Sequence, residues 1–212
     1  MFPCSPVSRL GLVALSLSLL MLCAAISGCV GKSAPTRFYV LSAPPAAENA
    51  TLQGTDAAPL SLGVGPVELP AYLERSQIVT REGDTRLLVA DFDQWAEDPR
   101  DALPRVLAEN LALLVHAEPL VTAPWPTGVH PKYSLSLQIQ RFDGELGKRA
   151  ELRAAWSILD ADGTLLRWRA TRHEATPANA SHAAFVQALG QCLTALATNV
   201  AAELEILEAA GR

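Results

Sequence analysis

At residues 133–140 the chain reads Tyr133-Ser134-Leu135-Ser136-Leu137-Gln138-Ile139-Gln140. Apolar and polar side chains alternate strictly here. This predicts a β-strand with one buried and one wet face, because successive side chains of a strand point to opposite sides. The alternation recurs at residues 152–158 and 166–171, and Asp160-Ala161-Asp162-Gly163 between them predicts a hairpin turn. Together these segments predict an antiparallel meander of three strands.

Two amphipathic helices flank the predicted meander. The first has cap choices at Asp98-Pro99 and Asp101, and Pro104 places its start near Asp101, since proline fits only the first turn of a helix. The second is capped by Asn179 or Ser181. Its apolar stripe follows the helical period and consists of Phe185, Leu189, Cys192, Leu193, Leu196, Val200, Leu204 and Leu207.

The segments before the first helix predict further strands. Residues 37–41 form a short β-type run, and residues 60–69 form a candidate strand interrupted by glycines and Pro66. A single turn is predicted at 72–75, followed by a hairpin of residues 77–81 and 86–92. The predicted fold class is therefore α/β: a single domain with a mixed, largely antiparallel sheet and two amphipathic helices.

Trp156 and Trp168 fall on the apolar phases of facing strands. Core packing is the simpler interpretation of this pair, and a lipid-holding pocket is the alternative.

The first 28 residues have the layout of a secretory signal. Arg9 is followed by an uncharged apolar run, Leu10–Ile26, whose 17 residues lie at the lower limit for a membrane-spanning helix. Ile26-Ser27-Gly28-Cys29 then resembles the bacterial lipobox, in which small residues precede a cysteine that receives a diacylglyceryl group. Cys23 is a poorer acceptor because bulky Met21 and Leu22 precede it. A retained anchor helix is the competing hypothesis.

Acylation of Cys29 sets the predicted organisation of the chain. Residues 1–28 are the signal peptide, 29–36 a lipidated tether and 37–212 the folded domain. Acyl chains on Cys29 would suffice for stable membrane anchoring. Val30 follows it, and by resemblance to lipoproteins of enteric-type bacteria the absence of Asp there favours outer-membrane sorting.

Composition and motifs exclude several function classes. A net charge of −5 leaves no basic excess for phosphate contacts, and 6% aromatic residues provide few stacking platforms, so we expect no nucleic-acid partner. The four histidines form no metal-binding pair at helical spacing, and no Gly-x-Ser-x-Gly elbow occurs. The sequence thus predicts no catalytic residues, no metal and no cofactor.

Three blocks of sequence carry a resemblance to a known family. They are Leu69-Pro70-Ala71-Tyr72-Leu73-Glu74-Arg75-Ser76-Gln77-Ile78-Val79-Thr80-Arg81, then Phe92-Asp93-Gln94-Trp95-Ala96-Glu97, then Leu103-Pro104-Arg105-Val106-Leu107-Ala108-Glu109-Asn110-Leu111. With Phe38-Tyr39-Val40-Leu41 after the lipobox, these blocks resemble the auxiliary lipoprotein of MCE-type ABC transport systems, the PqiC/YmbA family.

The resemblance implies a periplasmic domain anchored to the outer membrane. It implies a sandwich similar to the anticodon-binding-domain layout and a ring-like homo-oligomer. Its expected partners are an MCE-domain protein, a permease and an ATPase that move lipid between membranes and support envelope integrity. A free-standing lipid-binding carrier is the alternative function.

Four residues in the matching blocks are candidates for partner contacts: Tyr72, Leu73, Arg75 and Trp95. Tyr, Trp and Arg dominate the hot spots of protein interfaces. The competing interpretation is that the turn at 70–75 and Trp95 only stabilise the fold.

Overall fold

The computed structural model describes residues 17–18, 34–43 and 59–211. The chain divides into two compact units, Met1–Pro35 and Thr36–Arg212. The predicted acylation site Cys29 and the lipobox residues before it lie outside the described residues.

The second unit is a mixed α/β domain with two sheets and two helices. The elements in chain order are β1 (Arg37–Tyr39), β2 (Leu60–Glu68), a 3-10 turn (Ala71–Leu73), β3 (Gln77–Glu82), β4 (Arg86–Trp95), α1 (Pro99–Ala112), β5 (Ala117–Thr122), β6 (Tyr133–Glu145), β7 (Arg149–Asp160), β8 (Leu165–Ala175) and α2 (His182–Ala210). The smaller sheet has the order β1-β4-β3 and the larger one β5-β2-β6-β7-β8.

The predicted meander is confirmed as the antiparallel run β6-β7-β8. Leu135 pairs with Ile158 and Leu137 with Trp156, and all four side chains are buried. The predicted turn is also present, because the Asp160 carboxylate accepts the backbone N–H groups of Asp162 and Thr164. Alternation of small polar and large apolar residues was thus sufficient to predict the centre of the fold.

Both helices cover the same face of the larger sheet. α2 packs on β7 and β8, and α1 packs on β2, β5 and α2. The helices are joined by a hydrogen bond from the Thr194 hydroxyl to Asn110 Oδ1 at 2.7 Å. By length and composition α2 could cross a membrane, but 61% of its most apolar window is buried inside the domain. Its stripe, which includes Phe185, Leu193 and Leu204, lies in the common core.

α1 begins two residues earlier than predicted. The Asp98 carboxylate accepts the Arg100 N–H at 2.9 Å, and Pro99 occupies the first helical position, where a missing N–H costs nothing. Pro104 consequently lies inside the helix rather than in its first turn. The cap at Asp98 explains why the helix starts before Asp101, although this start leaves Pro104 beyond the first turn.

The region between α1 and β6 contains a strand that was not predicted. β5 runs parallel to β2 along the edge of the larger sheet and contains Pro119. Proline is tolerated on an edge strand because one side of that strand has no ladder partner. β2 itself is continuous from Leu60 to Glu68, with a register shift at Gly65-Pro66 instead of a break.

Trp168 corrects the prediction that both tryptophans lie in the core. Trp156 is 2% exposed, whereas Trp168 is 58% exposed. The register places Arg169, not Trp168, opposite Trp156. Arg167 and Arg169 occupy the helix-covered side of β8 because long aliphatic stems can pass over an edge while their guanidinium groups pair with Glu203 of α2.

Candidate partner-binding site

The 69–76 segment forms a short turn that is fixed by the core. Leu73 N–H donates to the Pro70 carbonyl at 2.9 Å and closes the single 3-10 turn. The Leu73 side chain is buried, Tyr72 is half-buried and Arg75 is exposed. Leu73 therefore anchors the turn. Of the three candidate contact residues in the turn, Arg75 is the one whose side chain is fully available to a partner.

Asp143 of β6 holds the turn from the other side. Its carboxylate accepts the Tyr72 hydroxyl at 2.6 Å and two guanidinium N–H groups of Arg81 at 2.7 and 2.9 Å. Arg141 donates a further bond at 2.8 Å. Burial alone would raise the pKa of Asp143, but these donors outweigh it and lower the pKa below its usual value. Burial and the Asp143 charge raise the pKa of Tyr72 to about 12.

A second buried carboxylate, Glu151, lies directly across from Asp143 on β7. Arg141 approaches it at 3.1 Å and Arg172 at 2.9 Å, and Arg153 is also paired with it. Register pairs Arg141 with Arg153 and Arg153 with Arg172, so three arginines form a row across β6, β7 and β8. Like charges directly opposite each other are destabilising, and the adjacent acidic row offsets this.

We call this surface the charged face; it comprises Arg81, Arg141, Asp143, Arg149, Glu151, Arg153, Arg172 and Glu174. Arg141 and Arg153 lie on the side of the strands opposite to Trp156 and Ile158, which the helices cover. The turn with Tyr72 thus sits against the side of the larger sheet that the helices do not cover.

Trp95 reaches the same turn through its backbone. Its N–H donates to the Ser76 carbonyl at 2.6 Å, and β1 pairs Tyr39 with it. The Trp95 side chain is partly buried and packs against the core. The structure therefore brings Trp95 beside the turn, with its ring packed against the core of the domain.

Asp93 organises the inward side of β1 and β4. It accepts a bidentate pair from Arg37 at 2.7 and 2.8 Å and the Tyr39 hydroxyl at 2.6 Å. The Arg37 hydrogen bond is the main reason that the pKa of Asp93 is lowered. His182 at the start of α2 lies 3.3 Å away, and its own pKa is lowered, chiefly by burial. This cluster fixes β1 to the start of α2.

The surface cavities on the described part of the domain include two beside the larger sheet. One of about 290 Å³ adjoins the turn and is lined by Glu68, Leu69, Pro70, Gln138, Ile139 and Gln140. The other, of about 220 Å³, lies between β8 and α2 and is lined by Trp156, Arg169, Thr171, Asn199, Ala202 and Glu203. The first places a small groove at the start of the turn, at Leu69 and Pro70, whereas none of the residues that line the second belongs to the turn.

Sequence reasoning missed the buried carboxylates that organise this region. Asp143 and Glu151 lie at the ends of alternating segments, where a charged residue is normally solvated. Their only sequence signal is the high density of arginine in β6, β7 and β8. That signal indicates paired charges but not which carboxylate is buried.

Solved structures share this fold. One, a crystal structure described as an uncharacterized protein, is 20% identical with a TM-score of 0.64, covering 81% of this chain and 99% of that one. A second, from Xanthomonas campestris and assigned to the family model DUF330, is 17% identical with a TM-score of 0.60, covering 78% and 92%. Among curated proteins, none matches this sequence.

A family model gives the assignment that these distant structures cannot give. The model described as the ABC-type transport auxiliary lipoprotein component matches residues 39–201, which span the domain from β1 into α2. The chain therefore belongs to the ABC-type transport auxiliary lipoprotein family.

Proposed function

We propose that the protein is a non-catalytic accessory subunit of an MCE-type ABC system that moves phospholipid between membranes and supports envelope integrity. Acylated Cys29 holds it on the periplasmic face of the outer membrane, and its domain docks the MCE-domain protein that works with a permease and an ATPase. The family match over residues 39–201 carries this proposal. The lipobox at residues 26–29 supports the anchor.

The docking surface we propose is centred on the turn at 69–76. Arg75 offers an exposed guanidinium, and the groove beside Pro70 offers polar and apolar lining. Tyr72 and Leu73 position the turn, because one is bonded to Asp143 and the other is buried. Trp95 lies beside the turn, because its backbone N–H donates to the Ser76 carbonyl. A ring of copies would repeat this surface around an axis facing the partner.

The test is affinity capture from detergent-solubilised membranes, with captured proteins identified by mass spectrometry. We expect an MCE-domain protein together with a permease and an ATPase. Arg75→Ala should reduce their recovery, and so should Trp95→Ala. Arg86→Ala is the matched control, since Arg86 is an exposed arginine of β4 with a local Glu82 partner. Full recovery with folded Arg75→Ala and Trp95→Ala variants would contradict this docking surface.

A free-standing lipid carrier is the alternative function. Ligand pockets for drug-sized molecules measure about 300–1,000 Å³ and enclose most of the ligand. The groove at Leu69 and Pro70, of about 290 Å³, lies at the lower limit of that range, and the cavity between β8 and α2, of about 220 Å³, lies below it. Stoichiometric phospholipid in native mass spectra of the purified protein, with no captured transport partner, would support the carrier instead.

A further inference from the structure

The smaller sheet presents an apolar surface that the proposed partner contacts do not use. Phe38 is 65% exposed and Val40 57%, and three side chains of β4 are also exposed: Leu88, Val89 and Phe92. Leu88 and Val89 are adjacent on β4 and point to opposite sides of the strand, so we call only Phe38, Val40 and Phe92 the β1–β4 patch. Large exposed apolar groups that lie together on one surface mark an interaction surface more often than single scattered ones do.

Strand register shows which way the two phenylalanines point. β1 and β4 are parallel, with Phe38 opposite Gln94 and Arg37 opposite Asp93. Arg37 and Tyr39 bond Asp93 on the inward side, near His182. Side chains alternate along a strand, so Phe38 and Phe92 share the opposite, outward side as diagonal neighbours.

The position of the patch along the chain indicates what covers it. Phe38 is nine residues after Cys29. At about 3.5 Å per residue, even a fully extended tether keeps Phe38 within roughly 30 Å of an acylated Cys29. Phe38 and Val40 are therefore the first exposed apolar side chains of the folded domain after the anchor, and they remain near the bilayer in every tether conformation.

We infer that the β1–β4 patch rests on the surface of the lipid bilayer in which Cys29 is anchored. This inference rests on the acylation of Cys29 in the proposed function. Apolar side chains that reach the headgroup region gain burial, and each acyl chain on Cys29 raises the local concentration of the patch at that surface.

The charges around the patch specify the kind of lipid surface. Asp84 and Asp91 are exposed acids of the same hairpin, while Arg37 and Arg86 are already paired with Asp93 and Glu82. Among the described residues of β1 and the β3–β4 hairpin, the arginines nearest the patch thus leave no unpaired cation for anionic headgroups. We expect contact with zwitterionic phosphatidylcholine vesicles and weaker contact when phosphatidylglycerol is added.

A depth measurement on the full lipoprotein tests the inference. Phe38→Cys is labelled with an environment-sensitive fluorophore and reconstituted into phosphatidylcholine vesicles containing lipids brominated on the acyl chain. Leu165→Cys on β8, where the native side chain is 57% exposed, is the matched control. Cys192 is buried and does not compete for label. We expect strong quenching at position 38, little at position 165, and a several-fold reduction at 38 when Phe92→Ser is added.

The outcomes separate this inference from the proposed function. The mass of the lipidated N-terminal peptide reports whether Cys29 carries acyl chains. Acylated protein without quenching at position 38, or with equal quenching at 38 and 165, overturns the patch contact alone. Cross-linking of position 38 to the same position of another copy would show that a second chain covers the patch, and this also overturns it. An unmodified Cys29 removes the anchor and overturns both proposals.

Discussion

Asp143 shows how a charged residue comes to be fully buried in this domain. Its carboxylate has no exposed surface, yet two arginines and Tyr72 donate to both of its oxygens. Burying a charge is costly unless the ion is paired and its lone pairs are hydrogen-bonded, and Asp143 meets both conditions. The residue therefore connects the turn at 69–76 with strands β3 and β6. We call the cluster of Asp143 with Tyr72, Arg81 and Arg141 the joint.

Cys192 is the residue whose reactivity the structure predicts most directly. Its thiol lies on the buried face of α2, 3.7 Å from the Ala150 carbonyl oxygen, and burial raises the pKa of the thiol to about 11. Because the thiolate is the reactive form, we expect no labelling of the native protein by thiol reagents near neutral pH, and full labelling after unfolding. The exposed Leu165→Cys variant should label rapidly under the same conditions. Labelling of native wild-type protein at Cys192 would show that the α2 core opens.

Individual side chains mark the limit of what the sequence predicted. Trp156 was correctly expected in the core because its strand alternates cleanly. Trp168 was misplaced because residues 166–170 of β8 have arginines on one phase and apolar residues on the other, and alternation alone favours burial of the apolar phase. The burial of arginine stems beside Glu203 depends on the position of α2, which no local pattern in β8 contains.

At the scale of elements, the cap of α2 gives a second prediction. The Ser181 hydroxyl accepts the Ala184 N–H at 3.2 Å, and Asn179 in turn supports the Ser181 backbone. Ser181→Ala should lower the free energy of unfolding by about 1 kcal/mol, and Ser181→Gly by only a few tenths. Urea unfolding measured by tryptophan fluorescence checks this. Equal losses for the two variants would mean that the hydroxyl contributes nothing as a cap.

Elements were predicted best where one periodicity ran uninterrupted. The meander, the β3–β4 hairpin and α2 all follow this rule. β2 and β5 do not, since glycine and proline disturb their patterns. A side chain at Gly63 would place its Cβ within 2.7 Å of the Trp125 ring and 2.9 Å of Pro131. Glycine at position 63 therefore leaves room for Trp125 and Pro131 to pack against the strand. The sequence pattern alone made this glycine look like an interruption of β2.

The turn at 69–76 lies between elements that were predicted well, but its position is fixed by contacts with residues far away in the sequence. The resemblance in blocks 69–81 and 92–97 singled out the segment, and the structure brings Trp95 beside Ser76. Neither block contains Asp143, which holds Tyr72 from 71 residues away. Contacts over such separations follow from strand order and register, so one sequence without that topology cannot supply them.

For the whole molecule, the joint at Asp143 links the two sheets. β3 belongs to the smaller sheet and β6 to the larger one, and they pack against each other. Arg81 extends from β3 to Asp143 of β6. The patch on the smaller sheet and the charged face of the larger one are thus held in one domain by a buried ion pair as well as by the core.

This joint predicts how the stability of the domain depends on pH. The pKa of Asp143 is lowered in the folded state from an ordinary value of 3.8. A depressed pKa contributes stability that is present above about pH 3.8 and is lost as pH falls through the folded-state pKa. Asp93 adds to the loss in the same direction, because its pKa is lowered too. We expect the free energy of unfolding to drop steeply in acid.

Asp143→Asn separates the contribution of this one carboxylate from the rest. At neutral pH it removes the charge partner of Arg81 and one of the two charge partners of Arg141, so we expect a loss of about 3 kcal/mol in the free energy of unfolding, measured by urea titration. Asparagine does not titrate, so the gap between variant and wild type should narrow as pH falls below about 3.8. Asp91→Asn, at an exposed position of β4, should follow the wild-type curve throughout. A gap that stays constant from neutral to acidic pH would mean that Asp143 stabilises the joint by shape and neutral hydrogen bonds, and that its charge is not what connects the two sheets.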